Sequence, residues 1–178
     1  NFTNRTNKHP AAVTWSGAVM FCNWLSEQEE LRPCYRRLGY TWELIPDADG
    51  YRLPSEAEWE YSCRSKSITY YCFGNDESLL NSYAVYATDA ASIRGSKLPN
   101  GFGIFDMHGN IGEWCSDEHV HKQTNERYGE LGPPAVGGDP FGEVVTPTRR
   151  VLRGGMFSDL PPRLGSAART HHDEDGTY

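Results

Sequence analysis

Three segments, in this order, constrain the chain more than its composition does. They are Tyr51-Arg-Leu-Pro-Ser-Glu-Ala-Glu-Trp-Glu-Tyr61, Asn100-Gly-Phe-Gly-Ile-Phe-Asp-Met-His-Gly-Asn-Ile-Gly-Glu-Trp-Cys115 and Arg150-Val-Leu-Arg-Gly-Gly155. The first contains Ser55-x-x-Glu58 directly after Pro54, a capping box in which the serine hydroxyl and the glutamate carboxylate each satisfy one free amide at a helix start. Glu56 and Glu58 are then first-turn residues favoured by the helix dipole, a structural role that takes precedence over acid/base chemistry. The second crowds Asp106, Asn110 and Glu113, with Asp117 just beyond, into a glycine-containing run. There, backbone carbonyls can turn inward beside carboxylates, and hard oxygen donors of that kind suit calcium. The competing reading is that Asp106 and Asn110 merely fold a tight turn.

The rest of the chain reads as short elements and long loops. Ala18, Phe21, Cys22 and Leu25 recur at i, i+3, i+4 and i+7, one apolar face of a core-packing helix after Thr14-Trp15-Ser16. Residues 40–45 alternate as a strand, and Pro46-Asp-Ala-Asp-Gly50 turns the chain. That turn lacks the glycine position and distal glutamate of an EF-hand. Residues 66–100 and the Gly/Pro-rich 129–147 carry no periodicity and are expected as ordered loops or short hairpins. At 178 residues, a single domain over 1–178 can bury its own core. Hydrophobic content of 38% with 12% aromatic suits short strands, long loops and a few large aromatic anchors.

A net charge of -7 without any basic cluster argues against nucleic acid as a partner. No apolar run is long enough to span a bilayer, so membrane insertion by this segment is not expected, and a soluble chain of unassigned compartment is. The start at Asn1, without methionine or signal-peptide core, suggests truncation, which is expected at both ends; Asn1 and Asn4 head glycosylation sequons. The five cysteines, 22, 34, 63, 72 and 115, form no close pair, and Cys22, Cys63 and Cys115 are expected as buried free thiols. His119 with His121, and His171-His172-Asp-Glu-Asp175, are dense in metal ligands without the spacing of a known zinc site. His108 is expected to orient backbone by hydrogen bonding.

Together with Pro10-Ala-Ala-Val-Thr-Trp-Ser16, the three segments resemble the sulfatase-modifying-factor family, whose founding members are formylglycine-generating enzymes; the resemblance runs to about Arg169. It implies an α+β fold, a variant of the C-type-lectin-like fold with little regular structure, two main helices and a twisted antiparallel sheet. It also implies a structural calcium site from the side chains of Asp106 and Glu113 with the carbonyls of Gly109 and Ile111. A second, weaker site would use Asn81 and the Ser82 carbonyl.

Three departures qualify the resemblance. Gly112 stands where a tryptophan is usual beside the active-site groove, and Met156 stands where serine is usual. The catalytic members also carry, between the Arg-Gly-Gly segment and the following Ala/Ser-Arg motif, two cysteines that bind copper(I), a metal that requires soft sulfur. Residues 156–169 contain no cysteine, and none follows Cys115. Copper is therefore not expected, and the balance leans away from an enzyme.

Two functions follow. One is a non-catalytic binding or accessory domain, part of a larger bacterial signalling or envelope protein, whose groove of Trp114, Phe157, Asp159, Arg163 and Arg169 takes an unnamed protein, peptide or small molecule. For Trp114 and Arg169, core anchor and structural ion pair are the competing roles. The alternative is an oxidoreductase of the formylglycine-generating or thiol-histidine sulfoxide synthase type that acts through residues or domains outside this chain.

Overall fold

The computed structural model describes residues 8–39, 41–119 and 149–176. Tyr40, His121, the two sequons and the 129–147 stretch lie outside the described residues. The elements are α1 Trp15–Gln28, β1 Tyr35–Leu38, β2 Thr41–Leu44, α2 Glu56–Arg64, a 3-10 turn Glu77–Leu79, α3 Leu80–Tyr83, β3 Glu113–Glu118, β4 Arg149–Arg153, a 3-10 turn Pro161–Arg163 and β5 Arg169–Asp173. The fold is α+β: two main helices, a two-stranded antiparallel hairpin β1-β2 and a three-stranded antiparallel sheet ordered β3-β4-β5. Extended loops carry the rest of the described residues.

The sheet is the divider. Trp114 on β3 pairs with Leu152 on β4, and both join Trp15, Val19 and Tyr35 in one core. Their neighbours Cys115 and Val151 point the other way, as strand alternation requires, and pack with Trp59 and Cys63 of α2 and with Met107. α1 and α2 thus cover opposite faces. A third cluster, of Tyr71, Leu80, Ala84 and Leu164, sits under the loops.

α1 starts where expected, with the Thr14 hydroxyl accepting from the Gly17 amide at 3.0 Å. Its inward face differs from the sequence reading. Trp15, Val19 and Ser26 are buried, and Ala18 and Cys22 pack beside them, whereas Phe21 is 40% exposed. The polar Ser26 hid this register. Its hydroxyl donates to Cys22 O and accepts from Tyr51 N, each at 2.8 Å, so it is satisfied without water. Gly50 lies so close that a Cβ there would stand 2.4 Å from Ser26 Oγ and from Arg32 O. The 46–50 turn holds Arg32, whose amide donates to Asp49 at 2.9 Å.

The capping box on α2 is present: Glu58 N donates to Ser55 Oγ at 3.2 Å and Ser55 N to Glu58 Oε2 at 2.8 Å. Glu58 also forms a two-pronged pair with Arg52. That pair, with the Ser55 amide, holds its carboxyl down at about 2. The strand expected over 40–45 is β2, which pairs with β1, a partner masked in the sequence by consecutive arginines. All five cysteines are free; Cys34, Cys63 and Cys115 are buried, while Cys22 and Cys72 are half-buried. No helix among the described residues is long and apolar enough to cross a membrane.

Candidate functional site

The loop leading into β3 is built by three left-handed residues, Asp106, Gly109 and Asn110. Gly109 is obligatory, because a Cβ there would meet Val85 O at 2.1 Å. Asn110 forms the turn itself: its amide donates to Val85 O at 2.8 Å and its Oδ1 accepts from Ser92 N at 2.9 Å. Asp106 is different. One of its oxygens accepts from Gly95 N at 2.7 Å, while Oδ1 is buried with no hydrogen-bond partner. Glu113 accepts from Trp59 Nε1 at 2.5 Å. Burial pushes its carboxyl up to about 7 despite that bond, and the negative charge of Asp106 adds to the rise. Two carboxylates that repel each other, one with an orphaned buried oxygen, form a donor set suited to a hard cation. Among the described residues no third His, Cys, Asp or Glu side chain completes it, which leaves further ligands to backbone carbonyls such as those of Gly109 and Ile111. Asp117 stands apart, accepting the first amide of α2, Glu56 N, at 2.7 Å.

The second site from the sequence reading has protein donors beside it. Lys97 Nζ donates to Asn81 O at 2.6 Å, and Leu98 N donates to Ser82 O at 2.8 Å. Each of these two carbonyls already has a protein donor.

Past the Arg-Gly-Gly turn lies an open groove of about 400 Å³, lined by Leu152, Gly155, Asp159, Pro162, Arg163 and Arg169 among others. Gly155 must be glycine, because a Cβ would sit 2.6 Å from a Leu164 methyl. Of the five residues assigned to the groove from sequence, Asp159, Arg163 and Arg169 line it. Trp114 does not: it is buried, with Nε1 donating to Val13 O at 3.0 Å, and its role is core anchor. Phe157 is half-buried and ties the two regions by backbone, its amide donating to Asn110 O at 3.0 Å. The groove charges are partnered. Asp159 accepts from Met156 N at 2.9 Å and faces Arg163 at 3.8 Å, while Arg169 pairs with Glu56 at 2.8 Å. Gly112 and Met156, the two departures from the usual pattern, meet in space: a Cβ on Gly112 would lie 4.0 Å from Met156 Cγ.

Arg153, which the sequence reading left without a role, is the hub behind the groove. Only 1% exposed, it donates to the carbonyls of Ser166, Ala167 and Ala168 and pairs with Glu60, its guanidinium 5.0 Å from the Trp59 ring. The i, i+4 glutamates 56 and 60 on α2 were the available signal. No thiol lines the groove. Burial raises Cys63 and Cys115 to about 12 and Cys22 and Cys72 to about 11, so each is held as a thiol at neutral pH. His108 is a backbone clamp: Nδ1 bonds Leu164 O at 2.7 Å and Nε2 accepts from Cys72 N at 3.2 Å. His119 stacks on His171, centroids 3.9 Å apart, an arrangement distinct from the 119/121 pair read from sequence.

Comparison with known proteins agrees with this geometry. Residues 2–177 match the model of the sulfatase-modifying factor enzyme 1-like domain. The formylglycine-generating enzyme of Bos taurus is 31% identical over 189 residues, covering 95% of this chain and 41% of that protein. The serine/threonine-protein kinase Pkn1 of Chlamydia trachomatis is 32% identical over 173 residues, 95% of this chain and 22% of the kinase. Among solved structures, Treponema denticola variable protein 1 superposes with a TM-score of 0.77 at 26% identity, covering 100% of this chain and 70% of that one. The chain spans about a fifth to about a half of the length of the curated relatives it matches. With nearly its whole length matched and its two helices and small antiparallel sheets in place, the chain belongs to the sulfatase-modifying factor enzyme 1-like domain family.

Proposed function

We propose that this chain is a non-catalytic binding or accessory domain. Its groove beside Asp159, Arg163 and Arg169 takes a protein, peptide or small-molecule ligand, and calcium held by Asp106 and Glu113, with the carbonyls of Gly109 and Ile111, stiffens the loop behind it. The observation that carries the reading is the chemistry of residues 156–169. That segment borders the groove with ion-paired side chains and contains no thiol, and the thiols elsewhere are buried or half-buried. Copper(I) oxidation needs soft, ionised sulfur at the substrate, and nothing lining the groove provides it. The Pkn1 relative, of which this chain matches 22%, supports a place within a larger bacterial signalling or envelope protein.

Calcium, when bound, supplies charge neutralisation to two crowded carboxylates and fixes their loop. Phe157 accepts the consequence through its backbone bond to Asn110, which couples that loop to the groove edge. The test is incubation of the purified chain with copper, reductant and a cysteine-containing sulfatase peptide. The reading expects unchanged peptide by mass spectrometry, and copper-dependent formylglycine would end it.

A second reading, an oxidoreductase of the formylglycine-generating or sulfoxide synthase type, is favoured by the name of the Bos taurus relative. It requires catalytic groups from outside this chain. Activity of the full-length parent that disappears on Arg163→Ala would support it.

A further inference from the structure

A second cleft, of about 440 Å³, opens between the β1-β2 hairpin and the start of α2, and shares no lining residue with the groove. Its apolar walls are Trp15, Tyr35, Trp42 and Leu44. Trp15 and Tyr35 form a rigid floor, at 2% and 5% exposure, in an edge-to-face pair with centroids 6.4 Å apart. Trp42 is half-buried and Leu44 is 49% exposed, so the hairpin side of the cleft presents apolar surface to solvent. Trp42 packs partly against the core and leaves its remaining surface, continuous with Leu44, facing the cleft.

Polar groups rim this aromatic surface, each already fixed by a protein partner. Arg52 and Glu58 hold each other through two bonds of 2.7 and 2.8 Å, and the Ser55 amide adds a third to Glu58. Arg150 lies over the Trp15 ring at 4.0 Å and is fixed by Glu174 at 2.6 Å and by Ser116 O at 3.0 Å. Guanidinium groups carry five donors and a carboxylate about four acceptor sites, so both retain capacity for a ligand after these bonds. Each rim guanidinium is neutralised by a carboxylate, which removes the electrostatic drive for an ionic ligand. What remains is an open cleft with one accessible tryptophan, pre-oriented donors and acceptors, and little net charge.

We propose that this cleft binds a neutral saccharide. The C–H face of a pyranose ring is apolar and packs on Trp42 beside Leu44, above the floor of Trp15 and Tyr35, while its hydroxyls both donate and accept at the Arg52–Glu58 pair and the Ser55 and Ser116 hydroxyls. The volume admits one or two sugar rings. The pre-paired rim limits the ordering cost on binding, which favours a small ligand in a shallow site.

The test uses the full chain on a glycan array, followed by titration with cellobiose and N,N′-diacetylchitobiose under intrinsic tryptophan fluorescence. The proposal expects array binding to neutral oligosaccharides, weakened at least tenfold by Trp42→Ala and largely restored by Trp42→Phe. Arg163→Ala, in the separate groove, leaves sugar binding unchanged, so failure of one site is distinguishable from failure of the other. Circular dichroism and melting confirm that each variant folds. Absence of glycan binding by the folded chain, sugar affinity indifferent to Trp42→Ala, or saturable capture of proline-rich peptides with no sugar affinity would each overturn it.

Discussion

Two oxygen-rich places in this chain read alike in sequence and differ in structure. Around Asp106 and Glu113, two carboxylates crowd together and one oxygen is buried without a partner. Around Asn81 and Ser82, each carbonyl already accepts one bond, from the Lys97 ammonium and the Leu98 amide. The first place leaves a buried carboxylate oxygen unsatisfied, and the second has a lysine ammonium against one of its carbonyls. Oxygen-donor count alone does not make a metal site; what decides is how many lone pairs the fold has already satisfied.

The largest expected effect provides a calcium-independent reference. Arg153→Met removes a buried cation, strips three carbonyls of their donor and leaves Glu60 with Arg64 as its remaining arginine partner, so it should cost about 3–5 kcal/mol equally in calcium and in chelator, read by urea unfolding. Asp106→Asn comes next. Asparagine tolerates the left-handed backbone at φ 60 and keeps the Gly95 bond, so only the charge is lost. It should lower stability by about 2–3 kcal/mol at saturating calcium and leave the chelated protein nearly unchanged. Equal losses in both conditions would make Asp106 a turn former only.

The third test is pH. Without metal the folded-state carboxyl of Glu113 titrates near 7, above its ordinary 4.5, so the folded chain retains a proton that the unfolded chain releases. Stability of the chelated protein should therefore fall as pH rises from about 4.5 through 7, and Glu113→Gln should flatten that slope. Calcium favours the ionised form, so its affinity should tighten over the same window. The smallest effect is at Asn81 and Ser82. Lys97→Met should cost about 1 kcal/mol, the loss of one charge-assisted bond, with no change in calcium response. A calcium response that appeared only in this variant would show the ammonium to be a metal substitute.

Much of the fold was legible because its signals are local. The capping box at Ser55 and Glu58, the cap at Thr14 and the backbone role of His108 each rest on one or two residues, and each is found. The face of α1 was misread because Ser26 is polar yet buried, its hydroxyl consumed by Cys22 and Tyr51. The partner strand of β2 was hidden because Arg36 and Arg37 both remain exposed on a hairpin edge, where burial does not impose alternation. In the groove, the place of Arg169 was legible but its partner Glu56 was not, since they lie 113 residues apart. Trp114 shows the general limit: an aromatic beside a motif has the same letter whether it faces ligand or core, and only the Trp114–Leu152 pairing places it in the core.

The measurement that bears most directly on the account is the melting temperature of the purified chain in calcium and in chelator, with bound metal determined by mass spectrometry. A rise of several degrees in calcium, with no stoichiometric copper or iron, is the predicted result. An unchanged melting temperature together with a bound transition metal would contradict it.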